Sequence, residues 1–221
     1  HRDLPSFPTR RSSDLRTNIR AIFIIMKRSD KTRGTILDEA IYIASKTGFE
    51  ALTIGKLASA VGMSKSGLFA HFNSKEQLQV DVLKAVAKKF ADKVITPSLK
   101  AARGEPRIRA IAKNWLAWTN AKFMPGGCLF LTATVEFDDK PGPVRDFLVS
   151  NQKLWIHFIA QAAALAVEEG QFRKELDTEQ FTYEFHSIYQ SYHYASRLLN
   201  DPQAESRVWN MLDKLLENAR A

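Results

Sequence analysis

The chain has 221 residues, 45% of them hydrophobic and 25% charged, a net charge of +8 and a pI near 9.6. That composition is globular, and it argues against a chain that is disordered as a whole or a fibre. The one cysteine, Cys128, excludes an internal disulfide framework and fits a reducing compartment. The longest purely apolar runs, Ala21–Met26 and Ala162–Val167, are six residues each. A membrane span needs about 20. The charge is uneven along the chain: residues 1–34 carry +6, residues 35–80 are neutral, residues 81–127 carry +7 and residues 128–221 carry −5. A basic half and an acidic half hint at a division of labour and at an anionic partner.

Residues 1–25 show neither helical nor strand periodicity and read as a non-native or disordered leader, resembling translated adapter text. Met26 is a natural start, with a short basic arm, Lys27-Arg28-Ser29-Asp30-Lys31, behind it. From Thr35 the pattern turns helical. Ile36, Ala40, Ile43, Ala44 and Thr47 keep helical spacing up to a stop at Gly48. Thr53 precedes a short helix ending at Gly62, Ser64 caps another through Phe69 or Ala70, and Asn73 or Ser74 caps a longer one running to Pro97. Further helices are predicted over Gly104–Phe123, Cys128–Phe137, Val144–Glu169, Asp177–Leu199 and from Asp201-Pro202 to Ala219. No alternating strand pattern and no fixed repeat interrupts them, so the fold class is all-α. The predicted division places one domain at residues 26–80 and a second at 81–221.

The stretch from Gly48 to Leu78 carries the functional signal. Leu57, Ala58 and Val61 give one short helix an apolar face, and Gly62 supplies the positive φ of a tight turn. Met63 and Leu68 pin the next helix against the first. Lys65, Ser66, Gly67, Phe69, Ala70 and His71 remain outward, a small polar face able to enter a major groove. The physics is that of a helix-turn-helix, capped by Ser64.

This segment resembles the DNA-binding domain of the tetracycline-repressor (TetR) family. Leu52-Thr53, Leu57-Ala58, Val61-Gly62, Ser64, Leu68-Phe69, His71-Phe72, Lys75-Glu76 and Leu78 match the family's pattern over about 45 residues. The resemblance implies base-edge contacts from Lys65, Ser66, Gly67 and Ala70, and phosphate contacts from Thr53, Phe69, His71 and Lys75. His71 as a packing residue is the competing reading. Two departures stand out. Phe69 lacks the hydroxyl of the family's usual Tyr, and Gly55 replaces a polar or Arg side chain. Because residues 35–80 are neutral, non-specific attraction to DNA is expected to lean on Lys27, Arg28, Lys31, Arg33 and Lys75.

In the C-terminal part, Trp115, Trp118, Phe123, Phe137, Trp155, Phe158 and Tyr189, with Phe130 and Phe185, are dense enough to line an apolar cavity or to fill a core. Cys128 is read with them as a buried small residue at the ligand site. His186 and His193 share a helical face, but with His157 they form no recognisable metal spacing. No metal or other cofactor is expected. There is no phosphate-binding glycine loop, nucleophile elbow or His-Glu-x-x-His pair, so no catalysis is expected either. The expected protein is a cytoplasmic, ligand-responsive repressor that dimerises through its last two helices and binds a palindromic operator. A small apolar or aromatic effector would release it. The alternative is a helical carrier protein whose DNA-binding domain no longer works.

Overall fold

A computed structural model describes residues 31–221. The leader predicted at residues 1–25 and the basic arm at 27–30 lie outside the described residues. The described chain is helical throughout, and its β content is a single bridge between Phe172 and Arg220.

The first four helices are α1 (Lys31–Thr47), α2 (Ile54–Ala60), α3 (Lys65–Phe69) and α4 (Lys75–Phe90). Three of these starts are fixed by side chains reaching back to the backbone. Thr53 Oγ1 accepts from the Lys56 amide at 3.2 Å, Ser64 Oγ from Gly67 at 3.1 Å and Ser74 Oγ from Gln77 at 3.0 Å. Each such cap is worth about 1 kcal/mol. Gly62 holds φ +66 between α2 and α3, and the Met63 amide closes the turn on the Ala58 carbonyl at 2.9 Å. Phe49, Leu52, Leu57, Leu68, Phe72 and Leu78, all fully buried, clamp the four helices together. Arg33 adds a polar staple: it donates to the His71 carbonyl at 2.8 Å, pairs with Asp81 and lies over the Phe72 ring.

The regular part of α4 ends at Phe90, and the helical path expected to reach Pro97 continues in two further pieces. A π-helical turn, Ala91–Ile95, leads into the short α5 (Thr96–Ser98), so the rod carries Pro97 in its last turn. Proline is tolerated at the start of a new helical turn because no amide is required of it there. Then follow α6 (Glu105–Thr119), α7 (Leu129–Phe137), α8 (Pro143–Glu168) and α9 (Thr178–His193). A second π turn, Tyr194–Leu198, extends α9, and α10 (Ala204–Ala219) closes the chain. Asp177 caps α9 by accepting from the Glu179 and Gln180 amides. Helix α9 lies between α8 and α10, while α8 also carries α4, α6 and α7. The buried side chains of both halves form one continuous core.

The halves are also joined by polar contacts. On α7, the Glu136 carboxylate accepts from the amides of Phe49 and Glu50, both at 3.0 Å. Gly126 packs so closely on the end of α1 that a Cβ there would overlap the Ser45 carbonyl, and its amide donates to Ser45 Oγ at 3.3 Å.

Candidate nucleic-acid interface and aromatic cavity

Helix α3 buries only Leu68. Its outer face presents Lys65, Ser66, Phe69 and Ala70, all exposed, with Gly67 half-buried. Phe69 is 50% exposed although it is a large aromatic, so its ring serves no core. The Lys65 stem lies over Gly55, where a Cβ would approach Lys65 Cε to 3.3 Å. The absence of a side chain at position 55 thus leaves room for Lys65, a physical reason for glycine at that position. Ser64 spends its oxygen on the cap and lies 3.1 Å from Ser66 Oγ.

The residues expected to meet phosphate are placed less uniformly. Thr53 is exposed while its hydroxyl caps α2. His71 is half-buried, its carbonyl held by Arg33 and its ring tilted 6.4 Å from Phe72. Lys75 Nζ donates to the Glu50 carbonyl at 3.0 Å and pairs with its carboxylate at 3.2 Å. Lys140 reaches the same carboxylate, and the two lysines hold the Glu50 carboxyl below the ordinary carboxylate range. An exposed pair of this kind is worth at most about 1 kcal/mol, so a phosphate can displace it. Arg33 is a different case. Expected among the free cations, it is instead committed to Asp81 and to the His71 carbonyl.

The aromatic residues sort into a cavity and its surroundings. Trp115, Cys128, Trp155 and Tyr189 line a narrow cavity of about 20 Å³, room for one water-sized group. Phe90, Phe130 and Leu131 complete its apolar walls, and Asn151, Gln152 and His186 its polar one. Trp118 and Phe158 stand one layer behind, in ring contact with Phe90 at 5.3 Å and Trp155 at 5.9 Å. Phe123 lies further out, against Trp118 and beneath Lys89 and Lys93. Phe137 is elsewhere: it packs edge-on against Phe49 at 6.0 Å and borders a surface cleft with Lys75 and Lys140. The nine-residue α7 points its first turn at the cavity and its last at α1, so aromatics at its two ends serve different sites.

Phe90, the last residue of α4, is the centre of this arrangement. Trp155, Trp118 and Phe130 meet it edge-on at 4.9, 5.3 and 6.1 Å. Helical spacing in the sequence aligns Phe90 with Leu78, Val82, Ala85 and Val86 as one stripe along α4, and does not connect it to the cavity. It also misses Asn151 and Gln152 as wall residues. Their spacing, four and three before Trp155 on one helix, is the signal that could have found them.

Titratable groups in and around the cavity are neutral. Burial lowers the His186 imidazole below its ordinary value, and burial with the nearby Arg197 does the same to His193. Burial raises the Cys128 thiol, only partly offset by the Trp118 side chain and the Leu131 and Phe130 backbones, so it is a thiol and not a reactive thiolate. Burial holds the Tyr189 phenol well above its usual range, so it stays protonated. The Tyr189 ring stacks on Trp115 at 4.0 Å, yet its hydroxyl has no hydrogen-bond partner among the described residues. An unpaired buried hydroxyl costs about 1–3 kcal/mol. Among the described residues no three His, Cys, Asp or Glu side chains gather in a way that could hold a metal ion, and no helix is long and apolar enough to cross a membrane.

An exposed two-helix reading head joined to an all-helical domain with an aromatic cavity defines the class of helix-turn-helix regulators. Residues 36–82 match the family described as "Bacterial regulatory proteins, tetR family", and residues 104–212 match "Tetracyclin repressor-like, C-terminal domain". The chain belongs to the TetR family of transcriptional regulators. Among solved structures, a TetR transcriptional regulator from Chloroflexus aurantiacus J-10-FL superposes with a TM-score of 0.78 at 20% identity, over 86% of this chain and 96% of that one. A transcriptional regulator from Saccharomonospora viridis in complex with choline gives 0.75 at 18% identity, over 87% and 100%. AibR in complex with isovaleryl coenzyme A and operator DNA gives 0.69 at 19%, over 86% and 100%. No curated protein sequence matches the chain.

Proposed function

We propose that this chain is a cytoplasmic repressor that binds a palindromic operator as a dimer and leaves it when a small apolar or aromatic ligand enters the cavity. The observation that carries the reading is a single rod. One end of α4 starts beside the α3 face, and the other ends on Phe90 in the cavity wall. In the dimer, two α3 helices occupy successive major grooves roughly 34–36 Å apart. Lys65, Ser66, Gly67 and Ala70 meet base edges, while Thr53, Phe69, His71 and Lys75 meet the backbone. A ligand that displaces Phe90 tilts α4 and changes that spacing, provided it prefers the tilted state. The π turn just beyond Phe90 supplies an irregular joint at the right place.

The dimer face is assigned to α9, its π extension and α10. Tyr183, Tyr194, Leu198, Leu199 and Met211 are large apolar side chains left exposed there, Tyr183 by 72% and Leu198 by 67%. Large apolar side chains left exposed on consecutive helices fit an interaction surface. The relatives solved with choline and with isovaleryl coenzyme A plus operator DNA support a ligand-responsive DNA reader. Selection from random duplexes tests this: enrichment of a palindrome is expected, and a folded dimer that enriches nothing overturns it. The carrier reading is favoured by one observation, the pairing of Arg33 and Lys75 with acidic partners inside a neutral domain. A repressor's operator affinity falls steeply with salt, whereas a carrier has no operator affinity to lose.

A further inference from the structure

We propose that the ligand of the cavity is an uncharged aromatic molecule bearing a hydrogen-bond acceptor, with the acceptor on the Tyr189 hydroxyl and the ring against Phe90 and Trp155. The proposal rests on the reading of this cavity as the effector site and adds the chemical class. Three observations carry it.

The first is charge. No Lys, Arg, Asp or Glu lines the cavity, and its polar wall consists of the Asn151 and Gln152 amides and a half-buried imidazole, His186. A carboxylate or an ammonium group would leave water with no countercharge to meet it, which is costly in such a setting. The second is the orphaned donor. The Tyr189 hydroxyl is protonated, buried and without a partner among the described residues. A ligand acceptor would satisfy it, so binding gains more than it would from an already paired group. The third is the geometry of the rings. Trp115 and Tyr189 already stack on each other at 4.0 Å, so their facing surfaces are spent. An aromatic cage for a quaternary ammonium needs free ring faces turned on one point, and none is offered there. Phe90, by contrast, makes only edge-to-face contacts, at 4.9 Å with Trp155, which a flat ring can enter by turning one partner. With about 20 Å³ open, the ligand makes its own room, and a planar molecule displaces least.

Calorimetric titration of the full chain with four probes of similar size tests the class: acetophenone, ethylbenzene, benzoate and phenyltrimethylammonium. Acetophenone is expected to bind tightest, ethylbenzene about tenfold more weakly, and the two ions not measurably. In Tyr189→Phe, acetophenone falls to the level of ethylbenzene while ethylbenzene is unchanged. Gln152→Glu, which places a carboxylate on the polar wall, gives phenyltrimethylammonium a measurable affinity. Tighter binding of either ion to the wild-type chain overturns the proposal. So does equal binding of acetophenone and ethylbenzene, or binding of no probe at all. Operator selection on the same preparation separates the levels: a palindrome with no probe bound sinks the ligand class alone, and no palindrome sinks the regulator.

Discussion

At the scale of single residues, the α3 face and the cavity give opposite kinds of prediction. Lys65 and Ser66 are exposed and bury nothing in the core. Replacing either by Ala should leave the melting temperature unchanged and weaken operator binding, read by gel shift, by about 1–3 kcal/mol for each base edge no longer met. Tyr189→Phe should behave in reverse. It removes only an unpartnered hydroxyl, so the variant should melt at or above the wild type by calorimetry, and a clear fall would mean the hydroxyl is paired after all. The half-buried His186 and His193 set a pH response. Folding keeps His186 and His193 neutral below the ordinary imidazole value of about 6.5, while the unfolded chain takes up protons there. Stability is therefore full well above that pH and falls as the solution is acidified through it. Thermal melts of His186→Leu should show a shallower decline there.

Among the elements, α7 has two duties that its sequence does not advertise. Its first turn walls the cavity through Phe130 and Leu131, and near its last turn Glu136 holds two amides of the α1–α2 loop. Glu136→Ala should loosen that loop and cost about 1–2 kcal/mol, measured by denaturant unfolding, with faster amide exchange at Phe49 and Glu50. Glu136→Gln, which keeps one acceptor oxygen, should lose less. The helices themselves are legible because their signals are local: Ser64, Ser74 and Asp177 cap the amides two or three residues on, and Gly62 makes its own turn. What lies across from a helix is not local. Periodicity marks Phe90 and Phe137 as buried, but only the packing of α4 on α8 and of α7 on α1 decides that one meets Trp155 and the other Phe49. The Glu136 clamp spans 86 and 87 residues of sequence, and a glutamate near the end of an apolar helix gives no hint of it.

For the whole molecule, the proposed function ties assembly to reading. If the exposed face of α9 and its π extension pairs two chains, Leu198→Glu should yield a folded monomer by light scattering and abolish selection of a palindrome, since one short helix contacts too few base pairs. A Leu198→Glu chain that remains dimeric would move the interface elsewhere. The tight seat of Gly126 on Ser45 bears on how such regulators can be recombined. The motif that reads DNA ends near residue 80, but its mechanical seam lies some 45 residues later, where a loop of the other half is moulded to the end of α1. A chimera that exchanges only the first 80 residues inherits a reading head whose α1 must fit a foreign socket. Carrying residues 125–137 along with that head transplants the socket too, and should preserve the ligand's grip on the DNA that a cut at residue 80 would lose.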